Sequence, residues 1–405
     1  MNVQFSTPLT LPCGVTLKNR FLKSAMSEQL GDRHHDPTEG LARLYATWAA
    51  GGVGVSVTGN VMVDRHALGE PRNVVLDEQS DLESFRRWAE AGQSNGALVF
   101  VQLNHPGKQS PRGVSKETVA PSAVPVGGEL APAFGMPRPL GGDEIVALVT
   151  RFATSAALAK RAGFSGVQIH ASHGYLVSEF LSPHANRRED AWGGSRERRS
   201  RFVLDVYAAI RAAVGPSFPV SIKLNSSDFH AGGLTEEESL DVAEALARAG
   251  IDLIEISGGT YEAFAMMGTG IAESARPGEG YFLGYAAKLR ARVSVPLVVT
   301  GGFRSGSAMM AALGSGVADL IGMARPLAVC PDFPNKLLSD PTAAIALPRP
   351  STHVDVIDRF TALDLTWYEA QIARMARGRA PKEHLNAWSA VALFMRRTGT
   401  HVLFG

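Results

Sequence analysis

Cysteine is almost absent from this chain: Cys13 and Cys330 are the only two among 405 residues. Two thiols cannot hold an iron–sulfur cluster or a four-cysteine zinc site, and the expected compartment is the cytoplasm. An excess of charge is also lacking. The formal net charge is +1, so no field draws in nucleic acid or an anionic membrane surface. No apolar run reaches the roughly 20 residues a membrane-spanning helix needs. The segment Met1-Asn-Val-Gln-Phe5 has no basic stretch followed by an apolar one, so a signal peptide is not expected. A Gly-rich nucleotide turn is missing as well. Where a doubly wound sheet would carry one, after its first strand, the chain reads Ser24-Ala-Met-Ser27. Internal repeats and low-complexity segments are not visible either.

What the sequence does have is alternation. Short, nearly continuous apolar runs predict strands over Phe21–Ala25, Val53–Thr58, Ala97–Leu103, Val167–His170, Val220–Leu224, Leu253–Ser257, Leu297–Thr300 and Asp319–Gly322. Amphipathic stretches separate them: Thr38–Ala50, Glu78–Ser94, Asp143–Ala162, Arg196–Val214, Thr235–Ala249, Gly284–Arg292 and Ser305–Leu313. Gly163, Gly250 and Gly314 stand where helices should stop. The pattern predicts an α/β fold, a (β/α)8 TIM barrel over residues 1–340. An N-terminal β-hairpin within Leu9–Lys18 is placed to plug its bottom. Residues 341–405 read as a helical extension, with helices over Trp367–Arg377 and Lys382–Arg397, packed on the barrel or on a neighbouring subunit. The long Pro- and Gly-rich connection 104–142 is expected to be a lid or pocket wall.

Catalytic groups of such barrels sit at the C-terminal ends of the strands. Here those ends offer Ser24 to Ser27, Thr58-Gly59-Asn60, Gln102, His170, Lys223, Gly301-Gly302 and Ala324-Arg325. The densest of them is Gln168-Ile-His-Ala-Ser-His-Gly-Tyr-Leu176. Two imidazoles can donate hydrogen bonds to one polarised oxygen, and a phenol beside them can give up a proton. Those are the groups needed to add hydride and proton across an activated double bond. The bland alternative is a structural cluster, since buried His and Tyr often only satisfy their partners.

The block continues through Glu179-Phe-Leu-Ser-Pro183, Asn186-Arg-Arg188, Asp190 and Trp192-Gly-Gly-Ser195. Here the chain closely resembles the old yellow enzyme family, flavoproteins of the NADH:flavin oxidoreductase and ene-reductase type. The resemblance covers roughly residues 3–340. It implies FMN as cofactor, NADH or NADPH as reductant, and activated alkenes, quinones or nitro compounds as acceptors in a ping-pong cycle. By the same resemblance Ala25 and Met26, after Ser24, offer main-chain contacts to the flavin. Ser27 falls on a side chain that touches O4, and a hydroxyl there is expected to donate a hydrogen bond. Gly59 falls on a small residue that lets backbone approach the ring, and Gln102 on an amide that satisfies N3 and O2. Lys223 falls on a position that is commonly Arg and keeps its positive charge near N1 and O2, without the planar fork. Gly301, Gly302, Ala324 and Arg325 match the usual barrel phosphate site. His170 and His173 would hold the acceptor's oxygen, and Tyr175 would protonate the α-carbon. Family members are often dimers or tetramers.

Several residues carry weaker readings. Tyr261, Phe264 and Met267 follow the sixth strand and are expected to line the substrate pocket. His105 is read as structural or pocket wall, and His34-His35 as loop histidines rather than a metal site. No metal is expected. The Arg-rich block 187–201 is interleaved with acids and reads as a paired, solvated face. Gln29 stands near a position where one branch of the family places a tyrosine over the substrate. Multidomain relatives need an iron–sulfur cluster and a dinucleotide domain that this chain lacks, so amine dehydrogenation is disfavoured. Two other readings stay open: a non-redox aldolase or isomerase barrel with Lys223 as a Schiff base, and a flavin-binding protein without turnover.

Overall fold

The computed structural model describes residues 3–128, 131–260 and 279–398. The eight apolar runs form β1 (Phe21–Lys23), β2 (Val55–Met62), β3 (Leu98–Asn104), β4 (Gly166–Ala171), β5 (Val220–Asn225), β6 (Leu253–Ser257), β7 (Leu297–Thr300) and β8 (Leu320–Met323). All neighbouring pairs are parallel, and β8 pairs with both β7 and β1, which closes the sheet. Parallel strands must be covered on both faces. The outer cover is α1 (Glu39–Ala50), α2 (Leu82–Gly92), α3 (Gly142–Arg161), α4 (Arg196–Val214), α5 (Glu236–Ala249), α6 (Leu283–Arg290), α7 (Gly306–Gly314) and α8 (Phe333–Ser339). This is the (β/α)8 barrel that the alternation predicts.

Local chemistry sets the boundaries. Ser195 caps α4 by accepting from the Arg198 N–H, and Thr235 with Glu238 forms a reciprocal capping box on α5. Gly250 ends α5 in the left-handed region, at φ 92°. Gly314 behaves differently from the expected stop: α7 runs through it, and the chain turns at Gly316, φ 72°. Strand β2 also runs past its expected end. Its register with β3 shifts between Val57 and Asn60, a bulge that carries Thr58 and Gly59 out of the ladder before pairing resumes. Bulges of this kind re-aim side chains beside sites.

The hairpin forms at the predicted place, Leu9–Thr10 against Thr16–Leu17, turning through Gly14 at φ 91°. Its Leu11 and Leu17 are buried against Leu22, Val55, Val57, Phe100, Leu253, Val298 and Leu320, at the opposite end of the strands from the polar rim. The hairpin therefore seals the barrel floor. The connection 104–142 is pinned rather than loose. Arg188 donates to the carbonyls of Pro121 and Leu140, and Glu179 accepts from the Lys108 N–H at 2.7 Å. Its described residues, Arg138 among them, wall a cleft with Asp64 and Arg151, and none of them lines the central pocket.

After a Pro-rich link, α9 (Asp355–Phe360), α10 (Leu363–Ala376) and α11 (Ala387–Thr398) form the extension. Helix α10 packs on α1 and on the short helix Arg325–Val329 of the same chain. Arg43 of α1 donates to the Ala376 carbonyl, and the indole of Trp367 to the Leu385 carbonyl. The extension thus lies against the β8–β1 side of the rim.

Leu17 is fully buried in the floor, so Leu17→Ala removes buried methyl groups and leaves a cavity. The expected cost is about 2–5 kcal/mol in urea-unfolding free energy. A loss under about 1 kcal/mol would show that the hairpin does not seal the barrel.

Candidate active site

The last turn of β4 and the loop behind it deliver three rings to one place. His170 lies 4.8 Å from Tyr175 and 5.2 Å from His173, centroid to centroid. His173 holds an uncommon left-handed backbone, φ 63°, followed by Gly174 at φ 79°. Three neighbours fix that conformation. Asn225 accepts from the His173 N–H, Gln109 donates to its carbonyl, and Ser257 Oγ shares a 2.7 Å hydrogen bond with Nε2. His170 Nδ1 is engaged by Ser172 Oγ at 3.1 Å. Each imidazole therefore keeps one ring nitrogen that has no partner among the described residues. Burial, with Lys223 nearby and His173 beside His170, holds both rings well below the ordinary imidazole range, so they are neutral at pH 7. Asn60 Nδ2 donates to the Tyr175 hydroxyl at 3.5 Å.

Beneath these rings a chain of polar side chains crosses the barrel. Gln102 Nε2 donates to Gln168 Oε1 and Gln168 Nε2 to Glu255 Oε2, both at 2.8 Å. Thr300 donates to Glu255 Oε1 and shares a hydrogen bond with Ser24. Lys223 Nζ stands 3.2 Å from Glu255 Oε1, with both side chains almost wholly buried. Burial raises the Glu255 carboxyl, but the Lys223 ammonium and three hydrogen-bond donors outweigh it and hold the group below the usual range.

The turn after β1 is fixed from its outer side. Lys23, fully buried, donates to Tyr45 Oη at 2.9 Å and to the Val57 carbonyl at 2.8 Å, and pairs with Glu28 at 3.3 Å. Burial brings the Lys23 amine down to about 8, with Glu28 acting against that shift. Tyr45 donates to Glu28 at 2.5 Å and accepts from the Gly59 N–H. A Cβ at Gly59 would lie 2.5 Å from the Met26 carbonyl and 2.9 Å from Glu28. Glycine is needed there for the turn's own backbone.

Ser27 has a carboxylate partner of its own in the wall. Its hydroxyl donates to Glu70 Oε1 at 2.5 Å, and burial raises the Glu70 carboxyl. Behind it Glu369 of α10 accepts from Gln29 Nε2 and from Arg397 of α11, each at 3.1 Å. Burial and the neighbouring Glu70 push Glu369 up to about 7, against the pull of Arg397. Gln29, at φ 49°, thus ties the β1 turn to the extension.

One pocket collects most of the predicted residues: Ser24, Ala25, Met26, Ser27, Gln102, His170, His173, Tyr175, Lys223, Gly301, Ala324 and Arg325. It holds about 1270 Å³ of empty space, counting its open mouth. Gly301 and Gly302, at φ 114° and 87°, form the turn at its edge, where a Cβ on Gly302 would strike the Tyr281 ring at 2.7 Å. Tyr261, Phe264 and Met267 lie outside the described residues. His105 is buried outside this pocket; it accepts from the Gly107 N–H, and burial takes it down to about 4. The Arg-rich block is largely paired, with Arg188–Asp190, Arg196–Asp241, Arg199–Glu238 and Arg201–Asp205. Residues that the sequence reading missed are Gln168, Glu255 and Thr300 in the floor, and Glu70, Tyr368 and Glu369 in the walls. Glu255 had a signal, as a carboxylate inside the apolar run Leu253–Ser257. The α10 residues had none.

Neutral, buried imidazoles have a measurable signature. Their folded pKa lies below the unfolded value near 6.5, so the unfolded chain binds protons first as the pH falls. Stability from these groups is complete above 6.5 and is lost progressively below it. Histidine NMR should show His170 and His173 unprotonated through pH 6, and a midpoint near 6.5 for either would contradict their burial as neutral rings.

The comparisons with known proteins agree with this geometry. Residues 5–341 match the NADH:flavin oxidoreductase / NADH oxidase family. An NADH-dependent flavin oxidoreductase of Talaromyces variabilis is 38% identical over 93% of this chain and 99% of its own length. Among solved structures, the old yellow enzyme homologue from Zymomonas mobilis superimposes with a TM-score of 0.73 at 26% identity, over 86% of this chain and 95% of its own. Morphinone reductase does so at 0.71 and 25%, over 87% and 93%. The chain belongs to the NADH:flavin oxidoreductase / NADH oxidase family, the old yellow enzyme group of FMN-dependent barrels that use NADH or NADPH.

Proposed function

We propose that this protein reduces activated alkenes (α,β-unsaturated carbonyls), quinones or nitro compounds with electrons from NADH or NADPH, in two half-reactions that share one pocket. The observation that carries this reading is the pair of neutral imidazoles, each with one ring nitrogen uncommitted among the described residues, standing beside the Tyr175 phenol. Two neutral donors on one oxygen stabilise negative charge as it builds there, without a proton having to move first. His170 and His173 are the proposed anchors of the acceptor oxygen. Tyr175 is the proposed proton donor to the α-carbon, its ring held against His170 and its hydroxyl near Asn60.

The residues present suit FMN. Gln102 spends one amide proton on Gln168 and lines the pocket, so its carbonyl and second proton can meet a ring edge that has both donor and acceptor atoms. Lys223, held by Glu255 beneath the pocket, puts a positive charge where a reduced ring would carry negative charge. Ala25 and Met26 offer main-chain groups. Gly301, Gly302, Ala324 and Arg325 are the proposed phosphate cradle, with Arg325 as its cation. FMN bound there supplies the hydride chemistry. The described residues present one such pocket with no separate dinucleotide turn, which supports ping-pong use of it by nicotinamide and acceptor in succession.

An anaerobic visible spectrum before and after adding NADH tests the reductive half: flavin bands should be present and should bleach. Protein that stays colourless after FMN is added would defeat the reading. Tyr175→Phe should slow alkene reduction by about 100-fold or more, and much more than it slows flavin reduction. Equal slowing of both half-reactions, measured by stopped flow, would remove Tyr175 as proton donor.

A further inference from the structure

The family match ends at residue 341, yet part of the pocket wall comes from beyond it. Asp364, Leu365, Tyr368, Glu369 and Ile372 all line the pocket. Their spacing, i, i+1, i+4, i+5 and i+8, is one face of a helix. Helix α10 therefore presents a single stripe to the cavity, across from the His170, His173 and Tyr175 cluster on β4. The stripe is held in place from behind. Tyr368 Oη donates to the Pro348 carbonyl, and Glu369 is fixed by Gln29 and by Arg397.

The charge on this wall is one-sided. The pocket's carboxylates are Asp364 and Glu369 from α10, with Glu70 beside Ser27. Its cations among the described residues are Lys223 and Arg325. Lys223 is paired with Glu255 and is the proposed partner of the flavin ring, and Arg325 is the proposed partner of the cofactor phosphate. Arg397 offsets one charge of the neighbouring Glu70–Glu369 pair, which leaves that pair and Asp364 net negative, and both acceptor-anchoring imidazoles are neutral. An acceptor entering the loaded pocket meets no unpaired cation among the described residues.

We propose that helix α10 selects the acceptor by charge, so that the pocket takes uncharged or cationic conjugated carbonyls and quinones and rejects those bearing a carboxylate. The inference rests on the reading of His170 and His173 as the oxygen anchor. Leu365, Tyr368 and Ile372 supply apolar contact to the body of such a substrate. Asp364 and the Glu70–Glu369 pair, offset by one charge from Arg397, repel an anion across the pocket, and an amine on the acceptor would be attracted by the same groups.

Three phenols of similar shape test this without turnover: 4-ethylphenol, tyramine and 4-hydroxyphenylacetate, titrated into the FMN-loaded protein at pH 8 and followed by the perturbed flavin spectrum. The neutral and cationic phenols should bind at least about tenfold more tightly than the anionic one. Glu369→Gln should narrow that gap by about threefold or more. Leu365→Lys, at the half-exposed first turn of α10, should strengthen 4-hydroxyphenylacetate binding by a similar factor, and it serves where Glu369→Gln fails to take up FMN. Equal affinities in the wild-type protein, or a gap that neither variant moves, would overturn charge selection while leaving the oxygen anchor intact. A loaded protein that binds none of the three overturns the anchor reading itself, and this inference with it.

Discussion

Glu255 is the residue on which the polar interior depends. A lone carboxylate inside a barrel is costly to hold, and so is a lone ammonium. Lys223 and Glu255 reduce each other's cost, and Gln168 and Thr300 satisfy the carboxylate's remaining capacity. The same bonds fix the ligand-facing groups. Gln168 orients Gln102, and Thr300 meets Ser24 at the start of the β1 turn. Taking away Glu255 would leave Lys223 buried and unpaired, and would free Gln168 and Thr300 at once. A half-satisfied network of this kind is worse than an apolar core. The barrel therefore carries this layer for what stands on it, a cation and an amide at set positions under the pocket.

A second constraint runs through the turn after β1. Its outer side is held by Lys23, Glu28 and Tyr45, and its pocket side by Ser27 on Glu70. Both sides connect onward to the extension: Gln29 reaches Glu369, and Arg397 donates to the Glu28 carbonyl as well as to Glu369. The barrel and the C-terminal helices consequently meet at the turn proposed to touch the flavin. Two hydrogen bonds, from Gln29 to Glu369 and from Arg397 to the Glu28 carbonyl, join the extension to the residues that follow Ser27. The hydroxyl of Ser27 is directed at Glu70. That orientation is a property of the carboxylate next to it, and no reading of Ser27 alone supplies it.

The contrast between what could and could not be read from the sequence follows from the range of the interactions. The strands, most helix ends and the hairpin were legible because their causes are local: apolar runs of strand length, a capping box at Thr235, a left-handed Gly250. The rim residues were legible because a closed barrel puts every strand end on one face, so position along a strand already implies position in space. The bulge in β2 was not legible, because it answers to the Tyr45 hydroxyl and the Met26 carbonyl, each well away in sequence from Gly59. Glu70 and Glu369 were hidden for a stronger reason. They are separated by about three hundred residues, and neither lies in a motif. Their meeting at Ser27 depends on how α10 packs across α1 and the helix after β8. The proposed reacting groups are thus written in short segments, while the electrostatics of the wall facing them arises from packing between distant ones. A chain with the same Gln168–Leu176 segment and a different extension would keep the anchor and lose this wall.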